Sequence, residues 1–566
     1  MFSIRNFLTL RRYRKLTQRV EKHEAGFREE DDAQLREAYL ELRKRRRKGA
    51  ALDSLAPEVF ALVRETSRRK INIRQYPMQV QAGFALAESN VLEMKTGEGK
   101  TFVAPLAAAL YALDQNGVHV LTANDYLAGR DAEKLKPVYE QLGLKVSCVL
   151  ADTPPRERAA AYNADITYTT VPQLGFDFLR QYFQEDPDSL RQRNMWKYMR
   201  SELDDSTREG RCLRGRYFAI LDEVDSILID YARRPLSISV QADIQHPAEL
   251  YAVVRQFALT TLQEDKHYEI DKVERNVDLT DRGTEQIRTL SEEYGHWHLL
   301  EAEWEKRVEE ALVAEYLYEK GTHYVIRQGT VCLIDQTSGR LMVGQRLGGE
   351  LHQAVEAKEG VQICPRQEVA KKITVQSLIR PYDHLSGMTG TAWEAKRELS
   401  NVYSMKTVRF PPRRADQTEF RPDAAFAESD HRWEAVVEEV DAEHAKGRPL
   451  LVGTRSVEAS EQLSEMLEEK GIEHDVLNAV NHEREAEIIA HAGEVGRVTV
   501  ATNMAGRGVE ITLGEGTADR GGIHVLGTER HLLGRMDRQL AGRTGRRGQP
   551  GSVHFFASLE DDIFEA

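Results

Sequence analysis

The strongest constraint on the fold is a repeated alternation. From about Asn90, short apolar, β-branched runs alternate with helical stretches: NVLEM, GVHVLTAN, KVSCVLA, ADITYTT and YFAILDE. A second series comes much later: PLLVGTRS, HDVLNAV, VTVATN, GIHVLGT and VHFFAS. Apolar strands that alternate with helices must be covered on both faces, which is the pattern of βαβ units and a parallel sheet. Two such series predict two α/β domains. The stretch between them, roughly Arg233 to Pro365, reads otherwise. It mixes acidic helical segments with THYVIRQGTVCLIDQTSGR, a strand–turn–strand pattern, and is expected to be an insertion with its own small fold. A chain of 566 residues has room for several domains.

The first α/β series carries a glycine-flanked Lys-Thr pair, TGEGKT, Thr96 to Thr101. It follows a predicted strand and opens a predicted helix, the setting a phosphate-binding loop needs. Its glycines let backbone N–H groups converge on phosphate. Lys100 is expected to reach the β- and γ-phosphates, and Thr101 to hold Mg²⁺. The match is incomplete, because Met94 stands where the general pattern has its first glycine. A second signal supports it. The apolar run YFAIL ends in Asp222-Glu223, and the carboxyl end of a parallel strand is where ligands bind. Asp222 is assigned to Mg²⁺, through water, and Glu223 to the attacking water. In the second series, QLAGRTGRRGQPG places Arg543 and Arg546 three residues apart. On a helix they would share a face. They are candidate arginine fingers, which would put the nucleotide at a domain interface.

The totals exclude some classes. The net charge of −13 argues against a constitutive nucleic-acid binder, which usually carries a basic domain. Cys148, Cys212, Cys332 and Cys364 form no CxxC pair and are expected to be reduced thiols. No His pair has zinc-protease spacing, so no zinc site is expected. The longest apolar stretch, Phe102 to Leu113, is too short to span a bilayer and reads as a buried helix. The N-terminus lacks the continuous apolar core of a signal peptide, so the expected location is the cytoplasm. The opening MFSIRNFLTLRRYRKLTQRVEK is basic, with Tyr13, Leu16 and Val20 at helical spacing. Two readings stand open for it: a helix lying on an anionic membrane surface, or one docked by its apolar stripe on its own protein.

Taken together these residues resemble the SecA preprotein translocase ATPases, a branch of the superfamily-two helicase-like motors. LTANDYLAGRDAEKLKPVYEQLGL, GFDFLR and LDEVDSILIDYARRPLSIS look like the family's first nucleotide-binding domain. ELHQAVEAKEGVQI and LSGMTGTA look like its return after an insertion. LLVGTRSVEASEQLSEMLEEKGIEHDVLNA, ATNMAGRG, GGIHVLGTERH and DRQLAGRTGRRGQPGS look like the second domain. The strings follow the family's order over nearly the whole chain.

The resemblance implies an α/β fold: two RecA-like parallel-sheet nucleotide-binding domains, an inserted α+β preprotein cross-linking domain and an N-terminal helical segment. It divides the chain into residues 1–232, the N-terminal helix with the first part of domain 1; 233–364, the insertion; 365–412, the return of domain 1; and 413–566, domain 2. It implies ATP and Mg²⁺ as ligands, bound by Gly97, Glu98, Gly99, Lys100 and Thr101. Gln81 would read the adenine edge, since an amide both donates and accepts. Arg507 would lie at the domain interface and Glu510 would bind nucleotide. Thr389-Gly390-Thr391 would couple ATP state to domain movement. The implied function is an ATPase motor that binds unfolded preproteins, with the Sec channel and the anionic inner face of the cell membrane as peripheral partners. The resemblance also shifts the reading of the basic N-terminal helix toward membrane contact. A nucleic-acid helicase, or a regulatory subunit with weak turnover, would use nearly the same motifs. No specific nucleic acid is expected.

The chain departs from the family pattern at two places. Where the family reads Arg-Gly-Thr-Asp-Ile, this chain reads Arg507-Gly508-Val509-Glu510-Ile511, one methylene longer at the carboxylate and without the hydroxyl. Family members also continue past the position of Ala566 into a helical scaffold, a wing, a two-helix finger and often a zinc-binding tail. The expectation is therefore either a separate chain that supplies the scaffold or a divergent paralogue with a different task.

Overall fold

In the first domain, strands fall where the apolar runs lie: β1 (Val91–Glu93), β2 (Val118–Thr122), β3 (Val146–Val149), β4 (Ile166–Thr170) and β5 (Phe218–Asp222). The computed structural model describes residues 4–184, 212–241, 247–271, 275–294, 299–334, 341–342, 345–365, 367–477, 485–502 and 511–564. Two further strands, Thr407–Arg409 and His384–Thr389, complete a seven-stranded parallel sheet. Its order is Thr407–Arg409, β1, His384–Thr389, β5, β2, β4, β3. His384–Thr389 sits between β1 and β5, with Gly387 opposite Val91 on one side and Leu221 on the other. The loops that leave β1 and β5 are thereby neighbours across one strand. A Cβ at Gly387 would stand 2.7 Å from the Val224 side chain, so only glycine lets the turn after β5 fold back over this strand.

The buried helix expected within Phe102 to Leu113 covers the middle of that stretch and ends in a 3₁₀ turn at Ala112–Asp114. The helix Ala104–Tyr111 packs every residue into the core. Four helices precede β1, namely α1 (Ile4–Phe27), α2 (Asp32–Arg47), α3 (Leu52–Ile71) and α4 (Pro77–Ala87), and α3 and α4 pack directly on the buried helix. A reciprocal pair of hydrogen bonds starts α2. Asp31 Oδ1 accepts from Gln34 N at 2.8 Å, and Gln34 Oε1 accepts from Asp31 N at 2.7 Å.

The N-terminal helix uses its stripe inwardly. Asn6, Tyr13, Thr17, Val20, Glu24 and Phe27 are buried at three-, four- and seven-residue intervals, against α3 and α4. Leu16 is half-buried beside them. Buried Glu24 pairs with Arg64 at 2.8 Å and Arg74 at 2.7 Å. The Asn6 amide exchanges two hydrogen bonds with the Arg409 backbone, at 2.9 and 3.0 Å, which caps an otherwise open sheet edge. The opposite face keeps Arg11, Arg14, Lys15 and Arg19 in solvent, and the tip exposes Ile4, Phe7 and Leu8.

After β5 the chain leaves the domain through a two-stranded antiparallel ladder, Pro235–Gln241 against Gln367–Thr374, bulged between Val369 and Lys371. Beyond it lies a separate core built on Leu250, Val254, Trp304, Val308 and Leu312. The strand–turn–strand pattern forms an antiparallel hairpin, Tyr324–Arg327 with Thr330–Ile334. Its two turn residues, Gln328 and Gly329, both have positive φ, at 50° and 75°, as a two-residue turn that follows the strand twist requires.

The second domain repeats the parallel plan. Its sheet runs Gln417–Phe420, Pro550–Ser558, His524–Gly527, Leu450–Thr454, Val498–Thr502, Asp475–Leu477, and Ala424–Phe426 pairs with the far end of Pro550–Ser558. Among the described residues no helix is long and apolar enough to cross a membrane.

Candidate active site

The loop after β1 is shaped by two glycines in the left-handed region, Gly97 at φ 88° and Gly99 at φ 79°. A Cβ at Gly97 would stand 3.1 Å from Arg546 Cβ, and one at Gly99 would stand 2.5 Å from Gln79 Nε2. Glycine therefore serves close approach as well as backbone freedom. The loop closes in a short 3₁₀ turn, Lys100–Phe102, before the buried helix begins at Ala104. This half of the site was legible from spacing.

Lys100 is buried, and its Nζ lies 2.7 Å from Glu223 Oε1. Burial works against its charge, but the Glu223 and Asp222 carboxylates outweigh that and hold the ammonium charged. Burial pushes the Asp222 carboxyl up, against the pull of Lys100. Glu223 itself sits at φ 54°, a strained conformation for a non-glycine residue. The Thr101 hydroxyl turns to buried Asp131, at 3.5 Å.

The loop also meets the second domain. Lys95 Nζ donates to Gly545 O at 3.1 Å and pairs with Asp416 at 2.7 Å. Arg546 is buried against Gly97 and donates from Nε to Gly542 O at 3.0 Å. Arg543 and Arg546 do not share a helical face. The helix Gly534–Ala541 ends before them, and Gly545, at φ 61°, turns the chain between them. A Cβ at Gly545 would stand 1.7 Å from Thr418 Oγ1, so that turn needs glycine. Both arginines still line one interdomain cavity with Thr96 and Glu223.

A polar chain crosses the interface. Thr389 Oγ1 lies 3.4 Å from Glu223 Oε2, and Thr391 N donates to Thr389 Oγ1 at 3.2 Å. The Thr391 hydroxyl donates to Asp225. Gln539, from the second domain, donates from Nε2 to Asp225 Oδ2 at 2.8 Å and to Thr391 Oγ1 at 3.3 Å. Arg535 pairs with Asp230, and Arg538 with Glu394 at 2.9 Å.

One assignment moves. The glutamine at the loop is Gln79, not Gln81. Gln79 Nε2 donates to Glu98 O at 2.9 Å and to Gly99 O at 3.3 Å, while its Oε1 accepts from Tyr76 N at 2.8 Å. Both glutamines lie on α4. Two residues along a helix is about 200° of rotation, so they face different sides. The Glu98 side chain accepts from Arg413 N, at 3.3 Å, in the linker to the second domain. Arg507 and Glu510 lie outside the described residues. Gln79, Asp131, Asp225 and Gln539 went unassigned at the sequence level. Asp225 alone carried a local signal, three residues past Asp222 and next to the acidic pair.

Comparison with known proteins agrees with this geometry. The model of the SecA DEAD-like domain matches residues 1–400, and that of the SecA P-loop domain matches residues 412–520 and 515–566. The protein translocase subunit SecA of Heliobacterium modesticaldum is 42% identical over 559 residues, covering 99% of this chain and 63% of that protein. The same-named protein of Halothermothrix orenii is 42% identical over 568 residues, covering 100% of this chain and 64% of its own length. The chain thus spans a little under two thirds of the length of these relatives. With two parallel-sheet domains meeting at a phosphate loop and two family models that together take in almost every residue, the chain belongs to the SecA family.

Proposed function

We propose that the chain is an ATP-hydrolysing motor that changes its grip on unfolded preproteins and assists their passage through the Sec channel. The observation that carries this reading is the Lys100–Glu223 pair, with Glu223 and Arg546 lining one cavity at the domain interface. A lysine held charged at a phosphate loop, a strained carboxylate beside it and arginines from a second domain are the parts that phosphoryl transfer to water needs.

In this reading Lys100 exchanges its carboxylate partner for the β- and γ-phosphates when ATP binds. Glu223 is then free to orient water. The water oxygen bonds to the γ-phosphorus, its proton passes to Glu223, and the bond to the β-bridging oxygen breaks, leaving ADP and inorganic phosphate. Arg543 and Arg546 stabilise the charge on the transferred group. Mg²⁺ bound with ATP would supply positive charge that offsets the charge of the phosphates. Asp222, through water, and Thr101 would hold it, and a half-buried carboxyl beside Lys100 and Glu223 fits that role. Gln79 takes the place assigned to Gln81 at the adenine edge, while Arg507 and Glu510 keep their assigned roles.

Loss of the γ-phosphate is felt at Glu223 and passes through Thr389, Thr391 and Asp225 to Gln539. The same turn leads within a few residues to Asp230 and then to the ladder that carries the insertion. Closure of two domains would thereby move the insertion, a hinge-type transition. The insertion is read as the preprotein clamp. The exposed basic face of α1, with Ile4, Phe7 and Leu8 at its tip, is read as the contact with channel and anionic membrane at the cytoplasmic face.

The test is steady-state ATP hydrolysis by the chain and its Glu223→Gln variant, alone, with unfolded polypeptide plus anionic vesicles, and with RNA. Stimulation by polypeptide that Glu223→Gln abolishes supports the motor. ATP binding without turnover in every condition would sink it, and stimulation by RNA alone would point to a helicase.

A further inference from the structure

The turn that carries Arg543 and Arg546 is held from both domains. Within the second domain it is wedged against the first residues of two paired strands, Gln417–Phe420 and Pro550–Ser558, where Thr418 stands opposite Gly551. A Cβ at Gly551 would stand 2.0 Å from Thr544 Oγ1, and one at Gly545 would stand 1.7 Å from Thr418 Oγ1. The turn therefore follows wherever these strand starts are held. From the first domain, the loop after β1 meets it twice. Lys95 Nζ donates to Gly545 O at 3.1 Å, and Gly97 lies against the Arg546 side chain.

Asp416 joins these contacts into one knot. Its Oδ1 accepts from Thr418 N at 3.1 Å and from Thr418 Oγ1 at 2.6 Å, inside the second domain. Its Oδ2 reaches Lys95 Nζ, in the first domain, at 2.7 Å. Burial pushes the Asp416 carboxyl up, but hydrogen bonds from Lys95 and Thr418 outweigh it and hold the group below the ordinary carboxylate range, so it is charged at neutral pH. Both partners are partly open to solvent, and an ion pair of that kind adds little to stability by itself. Its importance lies in its position. One ammonium holds the linker carboxylate and the carbonyl of Gly545, which stands between the two arginines. The linker is tied down alongside. Arg413 N donates to Glu98 Oε1 at 3.3 Å, and the Arg413 guanidinium lies 4.1 Å from the centre of the Tyr76 ring.

We propose that Lys95 is the positioning residue for the arginine turn. With Asp416 it sets how Arg543 and Arg546 stand against the phosphate loop, and so the rate of hydrolysis, without holding nucleotide itself. The inference rests on the reading of the site as hydrolytic.

Steady-state ATP hydrolysis and fluorescent-ADP titration of the full chain test it. Lys95→Met keeps the length of the side chain and removes its charge and donors, while Lys95→Arg keeps both. Lys95→Met and Asp416→Asn should each lower kcat about tenfold or more, as misplaced transition-state groups do, with ADP affinity within about twofold of the parent. Lys95→Arg should stay within about threefold of the parent in kcat. The double variant Lys95→Met with Asp416→Asn should lose no more than about twofold beyond either single one, because the two residues act as one contact. Tryptic cleavage after Arg414, in the exposed linker, gives a readout that needs no activity. It should be at least about threefold faster in Lys95→Met, with circular dichroism and melting showing that the variant is folded. Unchanged kcat in Lys95→Met would overturn the positioning role, whatever the cleavage rate. A fall in ADP affinity that matches the fall in kcat would overturn it too, by making Lys95 a nucleotide-binding residue. A parent that hydrolyses no ATP would overturn the hydrolytic reading. Faster linker cleavage in Lys95→Met would then still support the tie between loop and turn, and unchanged cleavage would overturn it.

Discussion

Lys100 Nζ and Glu223 Oε1 stand 2.7 Å apart, joined across 123 residues of sequence by the strand order of one sheet. The lysine of the phosphate loop is occupied by the carboxylate proposed to orient water. In the proposed mechanism ATP displaces Glu223 to engage Lys100. Replacing Glu223 by Gln removes that competitor. Glu223→Gln should bind ATP more tightly, by about 1 kcal/mol or roughly fivefold, while turnover falls on the order of 10²- to 10⁴-fold. Fluorescent-nucleotide titration beside steady-state hydrolysis checks both. Weaker ATP binding in this variant would contradict the competition.

The two glutamines of α4 give a clean comparison. Gln79 bonds the loop backbone at Glu98 and Gly99. Gln79→Ala leaves those groups short of a donor and should weaken ADP binding about tenfold, as expected for loss of a buried hydrogen-bonding group costing about 1–2 kcal/mol. Gln81→Ala should change ADP binding less than twofold. A titration of both variants with fluorescent ADP decides which residue serves the site.

Gln539 joins the domains at Asp225 and Thr391. Gln539→Ala should preserve ATP affinity within about threefold and lower polypeptide-stimulated hydrolysis about tenfold or more. Because Gln539 and Asp225 are in contact, Asp225→Asn in the same chain should add little further loss, giving a coupling of about 0.5–3 kcal/mol. Full additivity of the two effects would show that the contact carries nothing.

The second domain holds an acid-sensitive cluster away from the site. Burial raises the Glu443 carboxyl, but hydrogen bonds from Lys446, Arg421 and Arg448 outweigh it and hold the group at about 2, against an ordinary 4.5. A carboxylate depressed in the folded state contributes stability that is complete above its unfolded value and is lost as pH falls through the folded one. The window here runs from about 4.5 down to about 2. The melting temperature of the chain should therefore fall between pH 5 and pH 3. Glu443→Gln should melt lower at pH 7 and show a shallower fall over the same range. Parallel curves for the two proteins would exclude Glu443 as a source of the acid sensitivity.

Sequence alone determined the parts whose causes are local. Apolar runs such as YFAIL and VTVAT form strands wherever a sheet can bury both faces, and they do so here. The phosphate loop was legible because Gly97 and Gly99 are needed at positive φ whatever surrounds them. The Gln328-Gly329 turn was legible for the same reason. Tertiary structure decided what depends on phase and strand order. Gln79 and Gln81 differ only in the side of α4 they face, and α4 takes its rotation from packing. His384–Thr389 has no register until it is inserted between β1 and β5, more than 150 residues away from β5 in the chain. The apolar stripe of α1 could equally have met a membrane, and only the groove over α3 and α4 assigns it to the protein's own core. Parallel strands pair through long crossovers, so residues that form the site are distant in sequence. The Lys100–Glu223 pair exists only once the first sheet is assembled, and the Gln539 bridge only once the two domains meet.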